Sequence, residues 1–123
     1  MRVSDLIGGP VYSCTEDTDV RAAARKMLDD DIGSLAVLRD GELVGIVTER
    51  DLMRELAEDR HGARTIKDAM TPNPDSLAPD IDVDDAADWM MGAGYRHLPV
   101  VENGEVVGMV SIKDLLWALT GGR

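Results

Sequence analysis

The spacing of apolar residues changes several times within the first half of the chain, and each change predicts a new element. The apolar residues at helical spacing predict that one face of this segment packs inward, and they are Val20, Ala23, Ala24, Met27 and Leu28. Asp17 or Thr18 is predicted to cap the helix. In chain order, the predicted elements are a helical turn, a short strand, a helix, two strands and a helix, at residues 3–7, 11–14, 17–28, 34–38, 42–48 and 49–58.

The dipeptide Asp40-Gly41 lies between the two predicted strands. A two-residue loop of this composition favours a type I′ hairpin turn, because both of its positions need positive φ. The return strand runs directly into the last helix of this half. The apolar residues of that helix, Leu52, Met53 and Leu56, are predicted to face inward.

The second half of the chain repeats the first. Residues 3–57 align on residues 66–120 without a gap, and 18 of the 55 aligned pairs are identical. The stretch Gly45–Asp51 returns as Gly108–Asp114, 63 positions further on. Units of about 60 residues are marginal on their own, so we expect the two to pack together and share burial. The predicted domains are residues 1–60 and 61–123.

Each copy of this stretch carries a hydroxyl residue and an aspartate three positions apart, at a predicted strand-to-helix corner. The pairs are Thr48 with Asp51 and Ser111 with Asp114. One interpretation is a capping box, in which the hydroxyl accepts from a first-turn amide and the carboxylate lies near the positive helix end. The other is a ligand site, since a carboxylate suits a vicinal diol and a helix N-terminus suits a phosphate. The residue types alone leave both open.

The composition excludes several classes of protein. A formal net charge of −11 argues against sequence-independent binding to DNA or RNA, because phosphate neutralisation needs a basic surface. No apolar run approaches the roughly 20 residues of a membrane-spanning helix. The first residues also lack the apolar core of a signal peptide, so we expect no membrane association and a cytoplasmic location.

Catalytic and metal-binding constellations are also missing from the sequence. Cys14 is the only cysteine, and the two histidines, His61 and His97, give no metal-ligand cluster. There is no glycine-rich phosphate loop, and no nucleophile has a histidine partner set. The sequence therefore predicts a protein that is not an enzyme and requires no cofactor.

The excess of acidic residues comes with few lysines and no phenylalanine. There are 24 acidic and 13 basic residues, only three of the basic residues are lysine, and phenylalanine is absent. Proteins from salt-loving cytoplasms have similar compositions, because carboxylates keep their surfaces hydrated while salt screens the repulsion. Compositional drift in a GC-rich genome would give the same trend, so both interpretations stay open.

The order strand–helix–strand–strand–helix, given twice, resembles a tandem pair of CBS domains over nearly the whole chain. The resemblance implies an α+β fold of two tandem β-α-β-β-α units packed about a pseudo-two-fold axis, and the composition suggests a halophilic archaeal member. No matching piece is specific alone, but all of them recur in order. Besides the two corners, they are Val3-Ser4-Asp5-Leu6-Ile7, Ile66-Lys67-Asp68-Ala69-Met70, Ile32-Gly33-Ser34-Leu35-Ala36-Val37 and Tyr95-Arg96-His97-Leu98-Pro99-Val100-Val101.

In function, the resemblance implies a regulatory module that senses AMP, ADP, ATP, S-adenosylmethionine or another adenosyl ligand in the cleft between its units. Asp51 and Asp114 would bond the ribose hydroxyls, and Thr48 and Ser111 would lie near the ribose or its phosphate. The alternative is a ligand-free module that only dimerises or docks on a partner. In either case we expect the output to pass to a separate effector protein.

Other binding residues follow from the same resemblance. Arg50, Lys113, Arg96 and His97 carry or can carry positive charge that would neutralise phosphates, although plain surface charge also explains each one. The second copy looks more electropositive, and its Pro99 has no counterpart in the first, so the two sites are not expected to be equivalent. The resemblance places the adenine near the short first strand of each unit, at Ser13, Thr15, Ser76 and Ala78.

Two tryptophans occupy positions that are charged in the first copy. Trp89 aligns with Lys26 and Trp117 with Arg54, so both indoles are predicted to face outward. Exposed tryptophans are common at interfaces, which predicts a homodimer. The alternative is that each packs on the neighbouring helix of its own unit.

Overall fold

Each repeat folds into a short helical turn, an extended segment, a helix, a β-hairpin and a final helix. The computed structural model describes residues 1–58 and 64–121. The predicted domain boundary at residues 60 and 61, and the linker residue His61, lie outside the described residues. The elements are a 3₁₀ helix at Val3–Leu6, β1 (Ser13–Thr15), α1 (Val20–Asp30), β2 (Ser34–Arg39), β3 (Glu42–Thr48), α2 (Glu49–Glu58), α3 (Ile66–Ala69), β4 (Thr71–Pro72), α4 (Val83–Ala93), β5 (His97–Glu102), β6 (Glu105–Ser111) and α5 (Ile112–Leu119).

The two hairpins confirm the predicted turns. Asp40 and Gly41 join β2 to β3 with φ of 51° and 82°, and Asn103 and Gly104 join β5 to β6 with φ of 52° and 80°. Both positions of each loop therefore lie in the left-handed region that a type I′ turn requires. Because α2 follows β3 directly and α5 follows β6 directly, each hairpin delivers its last residue to a helix N-terminus.

One compact unit comprises Tyr12–Pro74. Its sheet has the order β1-β2-β3-β4, with β1 parallel to β2 and the other pairs antiparallel. The sequence did not predict β4, whose Thr71 pairs with Ile46 and whose Pro72 lies on the sheet edge, where a missing N–H is tolerated. Apolar residues of α1, β2, β3 and α3 form the core, namely Ala23, Met27, Leu35, Val37, Val47, Ile66 and Ala69.

The other compact unit comprises Met1–Val11 together with Asp75–Arg123. Its hairpin is extended by Leu77, whose N–H donates to the Pro99 carbonyl and whose carbonyl accepts from the Val101 N–H, both at 2.9 Å. The helices α4 and α5 pack with this hairpin. The core residues are Val3, Leu77, Val83, Ala86, Ala87, Met90, Leu98, Val100, Val110 and Leu115.

The opening turns of the two repeats are exchanged between these compact units. The Val3 N–H donates to the Ile81 carbonyl, and the Ile66 N–H donates to the Thr18 carbonyl, both at 2.8 Å. Val3 and Ile66 are fully buried in the respective cores. The compact units therefore differ from the predicted division into residues 1–60 and 61–123, because each hairpin core is completed by the helical turn that opens the other repeat.

The predicted cap of α1 is wrong by one or two residues. The carboxylate of Asp19 accepts from the Arg21 N–H at 2.7 Å, so Asp19 is the cap. Asp17 and Thr18 bond instead to Thr15 in the preceding turn. Three adjacent polar residues that all suit a helix start made the choice ambiguous in the sequence.

The predicted inward faces of α1 and α2 are wrong in part. Leu28 of α1 is 73% exposed, and of the three residues of α2 predicted to face inward only Leu52 packs on the core. Met53 is 62% exposed and Leu56 is 80% exposed, while Leu52 is half-buried. The side of α2 that packs inward instead carries Asp51 and Glu55, one helical turn apart. Arginines neutralise both carboxylates, which is why a polar stripe can replace the apolar stripe that helical spacing predicts.

Candidate functional site

The corner between β3 and α2 is a complete capping box. The carboxylate atom Oδ2 of Asp51 accepts from the Thr48 N–H at 2.9 Å and from Thr48 Oγ1 at 3.1 Å. In return, the Asp51 N–H donates to Thr48 Oγ1 at 3.3 Å. The other carboxylate atom, Oδ1, accepts from Arg54 Nη1 at 3.1 Å. Asp51 is only 6% exposed, so both of its oxygens are engaged inside the unit.

The corner between β6 and α5 has the same box in a more open setting. Asp114 Oδ2 accepts from the Ser111 N–H at 2.9 Å, and the Asp114 N–H donates to Ser111 Oγ at 3.2 Å. Asp114 is exposed, and Trp117 stands where the first corner has Arg54. Across residues 1–58 and 64–121, Oδ1 of Asp114 has no hydrogen-bond partner. The second carboxylate is therefore the one that is available to a ligand.

Two predicted residues, Arg96 just before β5 and His97 at its first position, lie beside the second corner. His97 pairs in register with Ser111, and the Arg96 carbonyl accepts from the Ile112 N–H at 2.8 Å. Arg96 is exposed and His97 is half-buried. The fold thus brings Arg96, His97, Ser111 and Asp114 to one end of the hairpin, next to the positive end of α5.

The remaining predicted cations, Arg50 and Lys113, occupy the second position of α2 and of α5. Both are exposed, and neither has an ion-pair partner in the part of the chain that the structure describes. In the first unit the positions equivalent to Arg96 and His97 are Gly33 and Ser34, so Arg50 stands there with fewer cations around it.

The residues of the first unit that are predicted to contact adenine, Ser13 and Thr15, lie on β1, two strands away from the Thr48 corner. Ser13 pairs with Ala36 across β1 and β2, whereas Thr15 pairs with Leu38, further from the β2 end that pairs with Thr48. Strands are about 4.8 Å apart, so β1 lies two strand spacings from β3. The hydroxyl of Thr15 is also occupied, because it bonds Asp17 and Thr18. The unit therefore places Thr15 apart from the Thr48 corner.

The corresponding segment of the second unit is looser. Ser76 and Ala78 flank Leu77 and are both exposed. In the first unit the Ala36 N–H donates to the Tyr12 carbonyl at 3.1 Å, but Pro99, which replaces Ala36, has no N–H to donate. A single bridge between Leu77 and Val100 therefore stands where the first unit has a three-residue strand.

The sequence analysis did not predict two ion pairs on the inward side of α2. Arg54 neutralises Asp51, and Arg64 binds Glu55 with two contacts, Nε to Oε2 at 2.9 Å and Nη2 to Oε1 at 3.0 Å. Arg54 lies three residues after Asp51, a spacing that predicts a helical pair. Arg64 lies outside the predicted helix at residues 49–58, and nothing in its spacing from Glu55 indicates that the two residues pair.

Three other titratable groups, Cys14, Glu16 and Tyr95, have pKa values that their surroundings shift. Burial raises the pKa of the Cys14 thiol to about 11, with Lys26 opposing the rise, so this thiol is not a ready nucleophile. The hydrogen bond from Arg39 holds the pKa of Glu16 below its usual value. The hydrogen bond to Asp75 raises the pKa of Tyr95.

Both tryptophans face outward, as predicted. Trp89 is 40% exposed and touches Tyr95 edge-on, with ring centroids 5.7 Å apart, and Trp117 is 54% exposed. The partial contact of Trp89 with its own unit leaves much of its ring in solvent. Leu116 and Leu119 add to the exposed apolar surface of α5.

The described residues hold no group of three or more histidine, cysteine, aspartate or glutamate side chains that could bind a metal ion. None of the helices in residues 1–58 and 64–121 is both long and apolar enough to cross a membrane.

The repeated corner and hairpin correspond to a known family. A family model described as the CBS domain matches residues 3–58 and again residues 66–121. The chain belongs to the CBS-domain family. It is a tandem CBS pair, and its mixed α and β architecture confirms the predicted fold class.

Similar CBS proteins include both uncharacterised and ligand-bound examples. An uncharacterized 17.7 kDa protein of Acidianus ambivalens is 36% identical over 120 residues, covering 96% of this chain and 73% of that protein. The CBS pair of protein MJ0100, solved with 5′-methylthioadenosine and S-adenosyl-L-methionine, is 28% identical with a TM-score of 0.90 and covers 100% of this chain and 98% of its own. CBSX2, solved with AMP, is 25% identical with a TM-score of 0.80 and covers 97% and 96%.

Proposed function

We propose that this CBS pair is a regulatory, non-catalytic module that binds an adenosyl ligand, with Asp114 as the residue that holds the ribose. The single observation that carries the proposal is the exposed Asp114 carboxylate, which has one oxygen in the capping box and the other without a partner among the described residues. A free carboxylate oxygen accepts hydrogen bonds from a vicinal diol. The CBS pairs of MJ0100 and CBSX2, solved with adenosyl compounds, support the same class of ligand.

The surroundings of Asp114 suit the rest of such a ligand. The amides of Ile112 and Asp114 are already hydrogen-bonded within the unit, which leaves the Ser111 hydroxyl and the Lys113 N–H to donate to a sugar oxygen or a first phosphate. Arg96, His97 and Lys113 supply or can supply positive charge on a chain whose net charge of −11 would otherwise repel phosphates. Asp51 and Thr48, with Arg50, would play the equivalent parts in the first unit, but Arg54 already occupies the second oxygen of Asp51. We therefore expect the weaker binding there.

Adenine recognition by Ser13, Thr15, Ser76, Ala78 and Pro99 is part of the same proposal. Of these, Ser76 and Ala78 are exposed on backbone that makes few ladder bonds, which suits a segment that pairs with an adenine edge.

The ligand is a regulator rather than a required cofactor, and the output passes to a separate effector protein. The proposed assembly is a homodimer, for which the exposed Trp89 and Trp117 are the support.

Calorimetric titration of AMP, ADP, ATP and S-adenosylmethionine into wild type and Asp114→Asn tests the proposal. The side-chain oxygen of asparagine can still accept from the Ser111 N–H, so the substitution removes the charge while keeping the capping box. Losing a charged hydrogen bond to the ribose costs about 1.5–3 kcal/mol, or roughly 10- to 150-fold in affinity. The matched variant Asp51→Asn changes the same chemistry at the other corner and is expected to leave the tighter site intact.

A ligand-free interaction module is the second candidate. It is favoured by the two complete capping boxes, which give both aspartates a structural role without any ligand. Wild type that binds none of the four compounds at millimolar concentration would favour this candidate and overturn the adenosyl proposal. Binding that Asp114→Asn does not weaken would place the ligand elsewhere.

A further inference from the structure

The ion pair between Arg54 and Asp51 covers the carboxylate that the first corner would offer to a ribose. Thr48 holds Oδ2 of Asp51 in the capping box. Oδ1, which accepts from Arg54 Nη1 at 3.1 Å, is therefore the oxygen that a ligand could use without breaking the box. With the guanidinium in place Asp51 is buried, so a ribose hydroxyl reaches Oδ1 only when Arg54 moves aside.

The side chain of Arg54 can make that movement because it is 58% exposed. Ion pairs with a mostly exposed partner are weak, and a competing anion can take the guanidinium. Asp51 is in the opposite position, since a buried carboxylate that loses its cation needs another donor. The pair therefore separates readily only when a ligand supplies both a donor for Asp51 and an anion for Arg54.

We propose that Arg54 selects which adenosyl ligand the first corner accepts, by moving from Asp51 to an anionic group of the ligand. A 5′-phosphate adjoins the ribose, so the nucleotide whose hydroxyls replace the guanidinium on Asp51 also gives that guanidinium a new partner. A neutral nucleoside breaks the ion pair and offers Arg54 nothing in return. The inference rests on the proposed function and adds the class of ligand that this corner takes, a phosphorylated adenosine.

The other charges around the first corner leave the phosphate to Arg54. Arg50 lies one turn earlier on the same side of α2, but the exposed Glu49 stands next to it and offsets its charge. The two positions that carry arginine and histidine beside the second corner are Gly33 and Ser34 here. On a chain of net charge −11, a phosphate bound at the first corner therefore depends on the guanidinium of Arg54.

The second corner has no such exchange. Trp117 stands at the position of Arg54, and Oδ1 of the exposed Asp114 has no hydrogen-bond partner among the described residues. A nucleoside can bind Asp114 without breaking an ion pair. The two corners of one chain are therefore expected to differ in which ligands they prefer and not only in how tightly they bind.

Amide NMR of isotope-labelled protein, titrated with adenosine and with AMP, follows the two corners separately. The signals of Thr48 and Asp51 report on the first corner, and those of Ser111 and Asp114 report on the second. In Arg54→Leu, adenosine is expected to bind the first corner roughly three- to tenfold more tightly, because no ion pair has to break. AMP is expected to bind it roughly tenfold or more weakly, because its phosphate loses the guanidinium.

The opposite signs distinguish a selecting residue from a structural one, since a distorted corner would lose affinity for both compounds. Arg39→Leu is the matched control. Arg39 is 61% exposed and is also paired with a carboxylate of the same unit, but it lies at the far end of the hairpin from Thr48. This variant should leave both affinities at the first corner unchanged. Arg54→Lys keeps the charge and should retain most of the preference for AMP over adenosine.

Three results would overturn the inference. The two affinities could change in the same direction in Arg54→Leu, or neither could change. AMP could also move only the signals of the second corner in wild type. Each of these outcomes leaves the proposed function standing. Wild type in which AMP, ADP, ATP and S-adenosylmethionine move the signals of neither corner would overturn the proposed function as well.

Discussion

The glycine that opens each corner is explained by what a side chain there would meet. A Cβ atom at Gly108 would lie 2.6 Å from Cγ2 of Ile7 and 2.8 Å from its Cβ. A Cβ atom at Gly45 would lie 2.5 Å from Sδ of Met70 and 3.1 Å from the Thr71 carbonyl. Both glycines thus let a neighbouring segment pack directly on the last strand of a hairpin. The repeated glycine could be read from the sequence, but its neighbours could not, because they come from distant parts of the chain.

We expect Gly108→Ala to destabilise the protein by about 1–3 kcal/mol, the usual cost of overpacking a core. The added methyl group meets the branched Cβ of Ile7, which cannot swing away as the flexible side chain of Met70 can. Urea unfolding monitored by circular dichroism measures the loss. Gly45→Ala is expected to cost less.

The matched control is Gly92→Ala, since no atom lies within 4 Å of a Cβ at this position of α4. It should be neutral or slightly stabilising, because alanine favours a helix over glycine. The double variant Gly108→Ala with Ile7→Ala should lose less stability than the sum of the losses measured for the two single variants. Full additivity would mean that Ile7 is not what the methyl group meets.

At the residue scale, the sequence predicted which residues form the candidate site but not how exposed each of them is. Thr48, Asp51, Ser111 and Asp114 could be found from their spacing, and both pairs form the predicted capping boxes. That Asp51 is buried and saturated while Asp114 is exposed depends on Arg54 and on the surroundings of each corner. The sequence alone could not show which of the two aspartates is buried and which is exposed.

At the scale of elements, hairpins were predicted best and helix faces worst. Asp40-Gly41 and Asn103-Gly104 fix their strands locally, since the turn type sets the strand register. The inward face of α2 depended on charges that pair through space. Glu55 and Arg64 are nine residues apart, and the ion pair between them has no counterpart in the second repeat, where Ala118 replaces Glu55.

Glu55→Ala is expected to lower the free energy of unfolding by about 1–3 kcal/mol, because it leaves the partly buried Arg64 without its carboxylate partner. The loss should fall below the full cost of breaking a buried pair, since the side chain of Arg64 is 21% exposed and that of Glu55 is 9% exposed. Urea midpoints at constant slope measure the change.

Asp30→Ala provides the comparison, since it removes the exposed pair between Lys26 and Asp30 at 3.7 Å. That loss should stay below about 0.5 kcal/mol, as for most exposed pairs on a helix. Equal effects of Glu55→Ala and Asp30→Ala would show that the Arg64 contact contributes no more than a surface ion pair.

For the whole molecule, the dominant property is unbalanced negative charge. With 24 acidic and 13 basic residues, at least eleven carboxylates have no cation of their own. The ion pairs seen among the described residues use several of the few cations, including Lys26, Arg39, Arg54 and Arg64. The remaining carboxylates repel one another in the compact state, and that repulsion weakens as salt shortens the screening length.

The melting temperature is therefore expected to rise steeply from dilute buffer to molar KCl. For a chain of 123 residues, each kcal/mol of stability gained raises the melting temperature by roughly 4 °C. The variant Glu102→Gln with Glu105→Gln removes two adjacent charges of the second hairpin, whose residues pair directly across β5 and β6. It should melt above wild type in dilute buffer and approach wild type at molar KCl, because salt then screens the same repulsion that the substitution removes. A wild-type curve that stays flat or falls with KCl would remove the halophilic interpretation and leave drift in base composition as the explanation of the acidity.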